Sequence, residues 1–504
     1  MAAMPPYRDC IGLRRKSNPV DNRSDCGRIA LLGADNLTFH STARGAVCDG
    51  VFVAPFAIFV LGRCPFVGVA RPARSTDFVD GRFVAKRCFT DSMGTVFMPI
   101  IEGFWVRNFR CLKQIAIGSS FQQSVVLEGE NDLSPYELTA LTTLIGSSGR
   151  GKSTILDVFA FLADCLKEGL EVAFARRGGF EAVYSQEAEG PISIGLVFRA
   201  CSEPRPLTYA LNITKGVGGI HVESEVLVYR GTQHGAITQP ILFFQNGSKS
   251  TRHIAPWHGA KSQTLDKIRR VDSRHLGLTE LGHIEDIPDV PWLKIHLEGF
   301  HYACYRPDNA VGLSPVPHRN PRDIRLATEF KRMEEKHQFE LPGILQTIAK
   351  RIPKIEDIHY EKTESGRTIL YFKDQRFPVP FTANQVSEGV LRLFAHFLLL
   401  EDSVPSPLLG IEEPDCYLDS EQIKAFAHAV RNHVAEIGGS QFLLTTHQPS
   451  LADWMDPNEV WILYDDADGF PQVCRAYDEI VYQGVDLNAV GPGWYSEFLH
   501  GKFL

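Results

Sequence analysis

Residues 146–153 read GSSGRGKS and are followed by Thr154, a segment that matches the phosphate-binding pattern G-x-x-x-x-G-K-[ST] at every fixed position. Its glycines let the backbone curl around a polyphosphate with the N–H groups pointing inward. Lys152 can neutralise the charge of the β- and γ-phosphates, and the hydroxyl of Ser153 can bind Mg²⁺. We therefore expect ATP or GTP to bind, with Mg²⁺ as cofactor, at Gly146, Ser147, Ser148, Gly149, Arg150, Gly151, Lys152, Ser153 and Thr154.

The flanking segments predict the elements that such a loop needs. Residues 141–145 (LTTLI) are β-prone, and residues 155–166 (ILDVFAFLADCL) carry apolar side chains at helical spacing. A strand, a tight loop and a helix in this order direct the positive N-terminal end of the helix at the phosphates. In this context a chance glycine-rich turn is improbable.

Two adjacent carboxylates follow an apolar segment near the other end of the chain. Residues 406–419 read SPLLGIEEPDCYLD, which predicts a strand over 408–411 that delivers Glu412 and Glu413. The first acid can hold hydrated magnesium, and the second can orient the attacking water or take its proton. Aspartate is commoner at the first position. Glutamate is one methylene longer, so its contact with the metal can run through water.

Two weaker signals accompany these carboxylates. Residues 441–449 (QFLLTTHQP) predict a strand that ends before His447, which can contact a γ-phosphate. Residues 385–400 place Ser387 and Gly389 just before a strongly apolar helical stretch, at a helix N-terminus. Alone, a strand-terminal histidine is more often structural, and Ser-x-Gly is more often a simple cap. Their order along the chain favours the functional interpretation.

The order of these four elements resembles the ABC-type ATPases of the SMC/RecF/OLD group, and more narrowly the stand-alone bacterial ATPases of the AAA_21 type. The resemblance runs from about residue 98 to the C-terminus, and 108–112 (NFRCL) is similar to the motif in the family's opening strand pair. It implies an α/β fold, namely a P-loop NTPase with an ABC-ATPase-like mixed-sheet core, an antiparallel β subdomain and a helical lid.

The resemblance also implies a role for each matching residue within one subunit. Glu412 would be the acid on the magnesium side, beside Ser153. Glu413 would be the catalytic base, and His447 would sense the γ-phosphate. Arg110 would contact the base or the ribose. The resemblance therefore implies ATP hydrolysis with Mg²⁺.

Other matching residues imply a second subunit. Ser387 and Gly389 would reach the γ-phosphate of ATP bound to that subunit, and Asp419 would be the acid of the inter-subunit loop. ATP would thus be sandwiched in a homodimer. The glutamine that usually contacts the metal is not identifiable, since its candidates Gln186 and Gln245 both lack a convincing context.

The first 97 residues differ from the rest in composition. They contain no Glu, 11 Arg, 2 Lys and 5 of the 11 Cys of the chain. We expect residues 1–97 to be a poorly ordered extension or the product of a misassigned start, and 98–504 to be the ATPase core. Within the core, we predict a nucleotide-binding lobe of 98–200 with 380–504 and a β/helical insert of 201–379.

Patterns inside the predicted core indicate its further elements. Alternating residues predict an antiparallel sheet from 191–200, 207–213 and 221–231. Residues 320–352 predict two helices broken at Pro342 and Gly343, and the following segments 354–362 and 367–374 predict a strand pair. The chain between the phosphate loop and Ser387 shows no sustained heptad array, which excludes long coiled-coil arms.

Composition and charge limit the partners. A net charge of −8 and a pI near 6.1 argue against a strongly basic nucleic-acid binder. Residues 252–270 could supply a local basic groove, although a solvated helix face is the favoured interpretation. The apolar run 51–62 is too short to span a bilayer, and scattered cysteines fit a reducing cytoplasm. We expect no membrane partner.

The sequence leaves two biological roles open for the ATPase. In the first, the ATP-sandwiched dimer acts as a switch in a DNA-associated or antiphage-defence process. In the second, it is a scaffold or sensor subunit that regulates a separate effector protein without contacting DNA. We expect no nuclease activity, because the acidic run Asp465, Asp466 and Asp468 is best explained as a hairpin turn.

Overall fold

The computed structural model describes the following residues: 78–79, 82–83, 89–90, 96–97, 99–118, 137–200, 206–229, 242–245, 273–281, 289–305, 323–324, 326–364, 368–402, 406–435, 440–482 and 493–499. All of them lie in the unit Gly68–Leu504. Apart from four two-residue strands, the predicted extension 1–97 lies outside the described residues, as does the basic segment 252–270.

The described strands, numbered in chain order, are β1 (Phe78–Val79), β2 (Arg82–Phe83), β3 (Phe89–Thr90), β4 (Val96–Phe97), β5 (Ile100–Phe109), β6 (Leu112–Gly118), β7 (Leu141–Ile145), β8 (Ile192–Arg199), β9 (Leu207–Gly216), β10 (Gly219–Tyr229), β11 (Leu242–Gln245), β12 (Phe300–Tyr305), β13 (Asp323–Ile324), β14 (Ile355–Lys362), β15 (Thr368–Asp374), β16 (Phe381–Thr382), β17 (Leu408–Glu412), β18 (Gln441–Thr446), β19 (Val460–Asp465) and β20 (Pro471–Arg475).

The described α-helices are α1 (Lys152–Glu168), α2 (Leu170–Ala175), α3 (Phe180–Val183), α4 (Gly277–Leu281), α5 (Asp289–Glu298), α6 (Leu326–Lys336), α7 (Leu341–Arg351), α8 (Glu388–Leu400), α9 (Ser420–Ala435), α10 (Pro449–Ala452), α11 (Ala476–Tyr482) and α12 (Trp494–Leu499). None of these helices combines the length and the apolar character needed to span a bilayer.

A mixed sheet with the strand order β13-β12-β17-β18-β7-β19-β20 holds the site. Its strands from β13 to β19 pair in parallel, and β20 is antiparallel to β19. The strands β7 and β18 are buried along their whole length, as expected for a parallel sheet that is covered on both faces. The register pairs Glu412 with Thr445, and Thr446 with Ile145. The carboxyl ends of three strands therefore meet at one edge.

A second, antiparallel sheet has the order β11-β10-β9-β8-β5-β6. It contains the opening strand pair β5–β6 and the three strands predicted from alternation, so both predictions are confirmed. Helix α1 contacts both sheets through Phe159, whose ring centroid lies 5.0 Å from that of Phe104 on β5 and 5.7 Å from that of Phe300 on β12. Burying such a side chain contributes roughly 1.5–3 kcal/mol. The helix after the phosphate loop is thus fixed from two sides.

The predicted helix pair within 320–352 is present, but the predicted break at Pro342 and Gly343 is wrong. Helix α6 ends at Lys336, and α7 begins at Leu341, so Pro342 lies in the first turn of the second helix. Proline is tolerated there because the N–H that it lacks would have no partner inside the helix. The strand pair predicted next is confirmed as β14 and β15, with β16 added as a third strand.

The fold class is confirmed as α/β, with a mixed core sheet, an antiparallel sheet and additional helices. The division into a lobe of 98–200 with 380–504 and an insert of 201–379 stays a prediction, but strands of the predicted insert share both large sheets with strands of the predicted lobe. β12 belongs to the predicted insert, yet it pairs with β17 of the core sheet. Sheet membership depends on pairing across long stretches of chain, which position in the sequence does not show.

Candidate active site

The phosphate loop lies between β7 and α1, and its glycines are required by backbone geometry. Gly149 and Gly151 have φ angles of 88° and 82°, in the left-handed region that disfavours other residues. A Cβ atom on Gly151 would also lie 2.9 Å from Cδ2 of Leu112, and one on Gly146 would lie 2.6 Å from the main-chain oxygen of Leu463. The loop can therefore curl closely only with glycine at these positions.

Lys152 folds back over the loop. Its Nζ donates to the main-chain oxygens of Gly146 at 2.7 Å and Ser147 at 2.9 Å. Burial lowers the pKa of this ammonium, and the nearby carboxylate of Glu413 opposes that effect. The loop's arginine is also held in place, since Arg150 pairs with Asp465 at 3.3 Å. The loop thus presents a buried cation at its centre.

Ser153 and Glu412 form the pair that the sequence predicts for the metal. The hydroxyl of Ser153 donates to Oε1 of Glu412. The other carboxylate oxygen, Oε2, accepts a hydrogen bond of 2.5 Å from the hydroxyl of Tyr302. Hydroxyl and carboxylate oxygens are the ligands that Mg²⁺ prefers, so this donor set fits the ion. Tyr302 was not anticipated, because no sequence motif surrounds it.

Glu413 and His447 lie together at the same sheet edge. Nδ1 of His447 is 3.1 Å from Oε1 of Glu413, and both side chains are about one-third exposed. Glu413 has a φ of 45°, and its N–H donates to the main-chain oxygen of Thr445 at 2.9 Å. The structure therefore brings together the two residues predicted as the base and the γ-phosphate sensor, in positions that solvent can reach.

Asp415 is a further carboxylate at this edge that the sequence did not single out. It is buried, and its Oδ2 accepts a hydrogen bond of 2.6 Å from the hydroxyl of Thr446. Its Oδ1 is buried without a hydrogen-bond partner among the described residues. Burial raises the pKa of Asp415 to about 6. This residue joins the loop after β17 to the end of β18.

The predicted signature residues lie at the start of α8. Ser387 is exposed and caps the helix by accepting a 3.4 Å hydrogen bond from the N–H of Val390. Gly389 is buried, and a Cβ atom there would lie 2.5 Å from the main-chain oxygen of Tyr417. At the start of α9, Oδ1 of Asp419 accepts a hydrogen bond of 2.9 Å from the N–H of Gln422. The signature therefore packs directly against the loop that contains Glu413, Tyr417 and Asp419.

Arg110 lies beside a cavity of about 390 Å³ next to the phosphate loop. Its Nη1 pairs with the buried carboxylate of Asp157 on α1 at 2.8 Å. The cavity is also lined by Cys111 and Gln186, and Sγ of Cys111 is 3.4 Å from Oγ1 of Thr154. Of the two glutamine candidates for the metal, Gln186 thus lines this cavity, and the side chain of Gln245 lies outside the described residues.

The acidic run near the C-terminus is a hairpin turn, as predicted. Strands β19 and β20 are antiparallel and pair Asp465 with Pro471. Oδ1 of Asp466 accepts hydrogen bonds from the N–H groups of Phe470 and Asp468, and these bonds, that from Phe470 first, lower the pKa of its carboxyl. Within the part of the chain that the structure describes, no group of three or more His, Cys, Asp or Glu could hold a metal on its own.

A family model matches part of this chain. The family model AAA_21, described as "AAA domain, putative AbiEii toxin, Type IV TA system", matches residues 269–453. This range contains the signature, both carboxylates and His447, and it confirms the resemblance to AAA_21-type ATPases inferred from the sequence. The comparison with curated proteins found no match.

Solved structures of SMC heads are similar to this chain. The Smc head bound to the C-winged helix domain of ScpA has 14% identity and a TM-score of 0.43, with 74% of this chain and 97% of that chain covered. A Smc head domain with an extended coiled coil, bound to the C-terminal domain of ScpA from Pyrococcus furiosus, has 14% identity, a TM-score of 0.41 and coverages of 77% and 99%. The SMC head domain from Thermotoga maritima has 13% identity, a TM-score of 0.38 and coverages of 74% and 98%.

Proposed function

We propose that this protein binds ATP with Mg²⁺ and hydrolyses its γ-phosphate bond as an ATP-sandwiched homodimer. One observation carries the proposal. The phosphate loop, the Ser153–Glu412 pair and the Glu413–His447 pair meet at the carboxyl edge of one parallel sheet. Ligands of such sheets bind outside the carboxyl ends of the strands.

Each residue at the edge has a task in this reaction. Lys152 and the loop N–H groups hold the phosphates, while Ser153 and Glu412 would hold Mg²⁺. The ion would neutralise charge that develops on the phosphate oxygens. Glu413 orients the attacking water and accepts its proton, and His447 contacts the γ-phosphate. Because phosphoryl transfer needs mostly positioning and charge stabilisation, this arrangement supports the proposed hydrolysis.

The cavity beside Arg110 is the site that we propose for the nucleoside. The cavity adjoins Thr154 at the end of the phosphate loop, where the nucleoside of a nucleotide bound by its phosphates would lie. The guanidinium of Arg110 is one-third exposed although it is paired with Asp157. A planar, partly exposed guanidinium can stack on a base or contact a ribose hydroxyl.

The position of the signature supports the proposed dimer. Ser387 is exposed at the N-terminus of α8, where the helix end favours an anion. Tyr417, which packs against Gly389, is 62% exposed. We propose that this face covers ATP bound to a second copy of the chain, with Asp419 at the boundary between subunits.

For the biological role, we propose a switch in a defence system that acts on a separate effector protein. The description of the matched family names a toxin of a type IV toxin–antitoxin system, and the net charge of −8 suits a protein partner better than DNA. The DNA-associated role remains the alternative.

Replacement of Lys152 by alanine tests the proposal. Lys152→Ala should abolish ATP binding in calorimetry and phosphate release in a turnover assay, because the loop loses its buried cation. The matched control is Lys167→Ala, an exposed lysine in the last turn of the same helix, which should bind and hydrolyse ATP normally. Unchanged ATP affinity in Lys152→Ala would overturn the assignment of the site.

A further inference from the structure

Tyr302 occupies a position beside the metal-side carboxylate that no motif marks. β12 and β17 pair in parallel with Tyr302 opposite Gly410. Side chains two residues apart in a strand share a face, so Gly410 and Glu412 point the same way. A Cβ atom on Gly410 would lie 2.7 Å from Cζ of Phe300. Glycine at this position therefore leaves room for the ring of Phe300, the neighbour of Tyr302 on the same face of β12.

The carboxylate of Glu412 is fixed from two sides. The Tyr302 hydroxyl donates to Oε2 at 2.5 Å, and the Ser153 hydroxyl donates to Oε1. Hydrogen bonds to an ionised acceptor are short and about twice as strong as neutral ones. With Oε2 occupied by tyrosine, Oε1 is the oxygen that faces the phosphate loop.

The length of the Glu412 side chain explains why the hydrogen bond from Tyr302 is needed. Glutamate has one more rotatable bond than the aspartate that is common at this position, and each additional rotamer makes a fixed geometry costlier. A donor on the neighbouring strand removes that freedom. Partners that orient metal ligands in this way typically account for about 10- to 100-fold in metal affinity.

We infer that Tyr302 is a positioning residue of the magnesium site, which holds Glu412 so that Oε1 is directed at Ser153 and at the ion that accompanies the nucleotide. The inference rests on the proposed function. Tyr302 contributes nothing to the grip of the loop on the phosphates. Its effect belongs to the metal alone, through Glu412.

The test compares binding of ADP, which is not consumed, with and without Mg²⁺. Mg²⁺ increases the affinity for ADP, and calorimetry gives the Mg²⁺ concentration at which half of this increase is reached. In Tyr302→Phe this concentration should be about tenfold higher than in the unaltered protein. Its ADP affinity in EDTA should equal that of the unaltered protein. The matched control is Tyr209→Phe, because the Tyr209 hydroxyl also donates to a glutamate, Oε1 of Glu225, at 2.8 Å, but in the antiparallel sheet. The Mg²⁺ dependence of this control should be unchanged.

A second background shows whether the effect passes through Glu412. In Glu412→Asp the carboxylate is shorter and withdraws from the tyrosine, so adding Tyr302→Phe should cause little further change. Effects of residues that act through one contact are not additive.

Three outcomes overturn the inference. The first is an unchanged Mg²⁺ dependence in Tyr302→Phe. The second is an equal loss of ADP affinity in EDTA, which would mean that the tyrosine supports the loop. The third is that Tyr302→Phe changes the Mg²⁺ dependence as much in the Glu412→Asp variant as it does in the unaltered protein. Failure of the unaltered protein to bind ADP in either condition would refute the proposed function itself, and the inference with it.

Discussion

Arg392 Nη1 donates to the main-chain oxygen of Glu413 at 2.8 Å. Its Nη2 donates to the main-chain oxygen of Tyr305 at 3.0 Å, and the guanidinium lies over the rings of Tyr305 and Tyr417. Arg392 is buried in the first turns of α8, the helix that Ser387 caps. The side chain of Arg392 therefore connects α8, which would face the second subunit, with Glu413, the proposed catalytic base of the same subunit.

This connection predicts that Arg392 supports turnover more than binding. Arg392→Met keeps most of the side-chain volume but removes both bonds, so Glu413 loses a contact that holds its backbone. We expect phosphate release to fall about 10- to 100-fold, because small misplacements of a catalytic group have effects of this size. ATP affinity in calorimetry should stay unchanged.

The control for this variant is another arginine that bonds a main-chain oxygen. Arg431 on α9 donates to the main-chain oxygen of Trp454 at 3.2 Å. Arg431→Met should lower the melting temperature but leave the turnover of the folded protein intact. If both variants lose turnover equally, the effect of Arg392 is on stability alone.

Glu413→Gln should bind ATP but not hydrolyse it, since glutamine cannot accept the proton from water yet is nearly isosteric. With hydrolysis blocked, the protein should accumulate as a dimer when ATP and Mg²⁺ are present. Light scattering with and without ATP measures this change. A variant that stays monomeric at saturating ATP would refute the two-subunit sandwich and leave the nucleotide site intact.

A second substitution in the same chain serves as the control for that dimer. Ser387 is exposed at the end of α8, so Ser387→Arg should clash only with ATP of the partner. The double variant with Glu413→Gln should remain monomeric, and its ATP affinity as a monomer should be unchanged. A dimer that persists in the double variant would show that another surface holds the subunits together.

The raised pKa of Asp415 predicts that the stability of the protein depends on pH. Burial raises the pKa of Asp415 from 3.8 to about 6, so the folded chain keeps a proton that the unfolded chain loses between these values. The contribution of this residue to stability is therefore fully present below pH 3.8 and is lost as the pH rises through about 6. Asp415→Asn cannot ionise and should avoid this loss.

Urea unfolding of the nucleotide-free protein measures the difference. From about pH 5 to about pH 8, the free energy of unfolding of the unaltered protein should fall by about 1.4 kcal/mol relative to Asp415→Asn. Asp466→Asn is the control, because the pKa of Asp466 is lowered and its titration lies below this range. A pH-independent difference for Asp415→Asn would contradict the buried, proton-binding carboxyl.

Cys111 provides a probe of the nucleoside cavity. Its thiol is exposed, lines the cavity and lies 3.4 Å from Oγ1 of Thr154. A bulky maleimide on Cys111 should prevent ATP binding by occupying the space of the nucleoside, and prior ATP should slow the labelling. Cys111→Ser should bind ATP and resist inactivation by the reagent. Full ATP binding by the labelled, unaltered protein would place the nucleoside elsewhere.

The sequence by itself determined the local parts of this site. The phosphate loop, the helix after it, the strand before Glu412 and the strand before His447 were all predicted, because each depends on contiguous residues with a clear period or a required glycine. The hairpin at Asp465 and Asp466 was predicted for the same reason.

Only the tertiary structure decided which other residues join the site. Tyr302 lies 110 positions before Glu412 in the chain, and Arg392 and Asp415 stand in segments whose local pattern indicates only a buried helix and a turn. Their roles depend on the pairing of β12 with β17 and on the packing of α8 against the loop after β17. Strand order in a sheet reflects the combined packing of many distant segments, so no local pattern in the sequence reveals it.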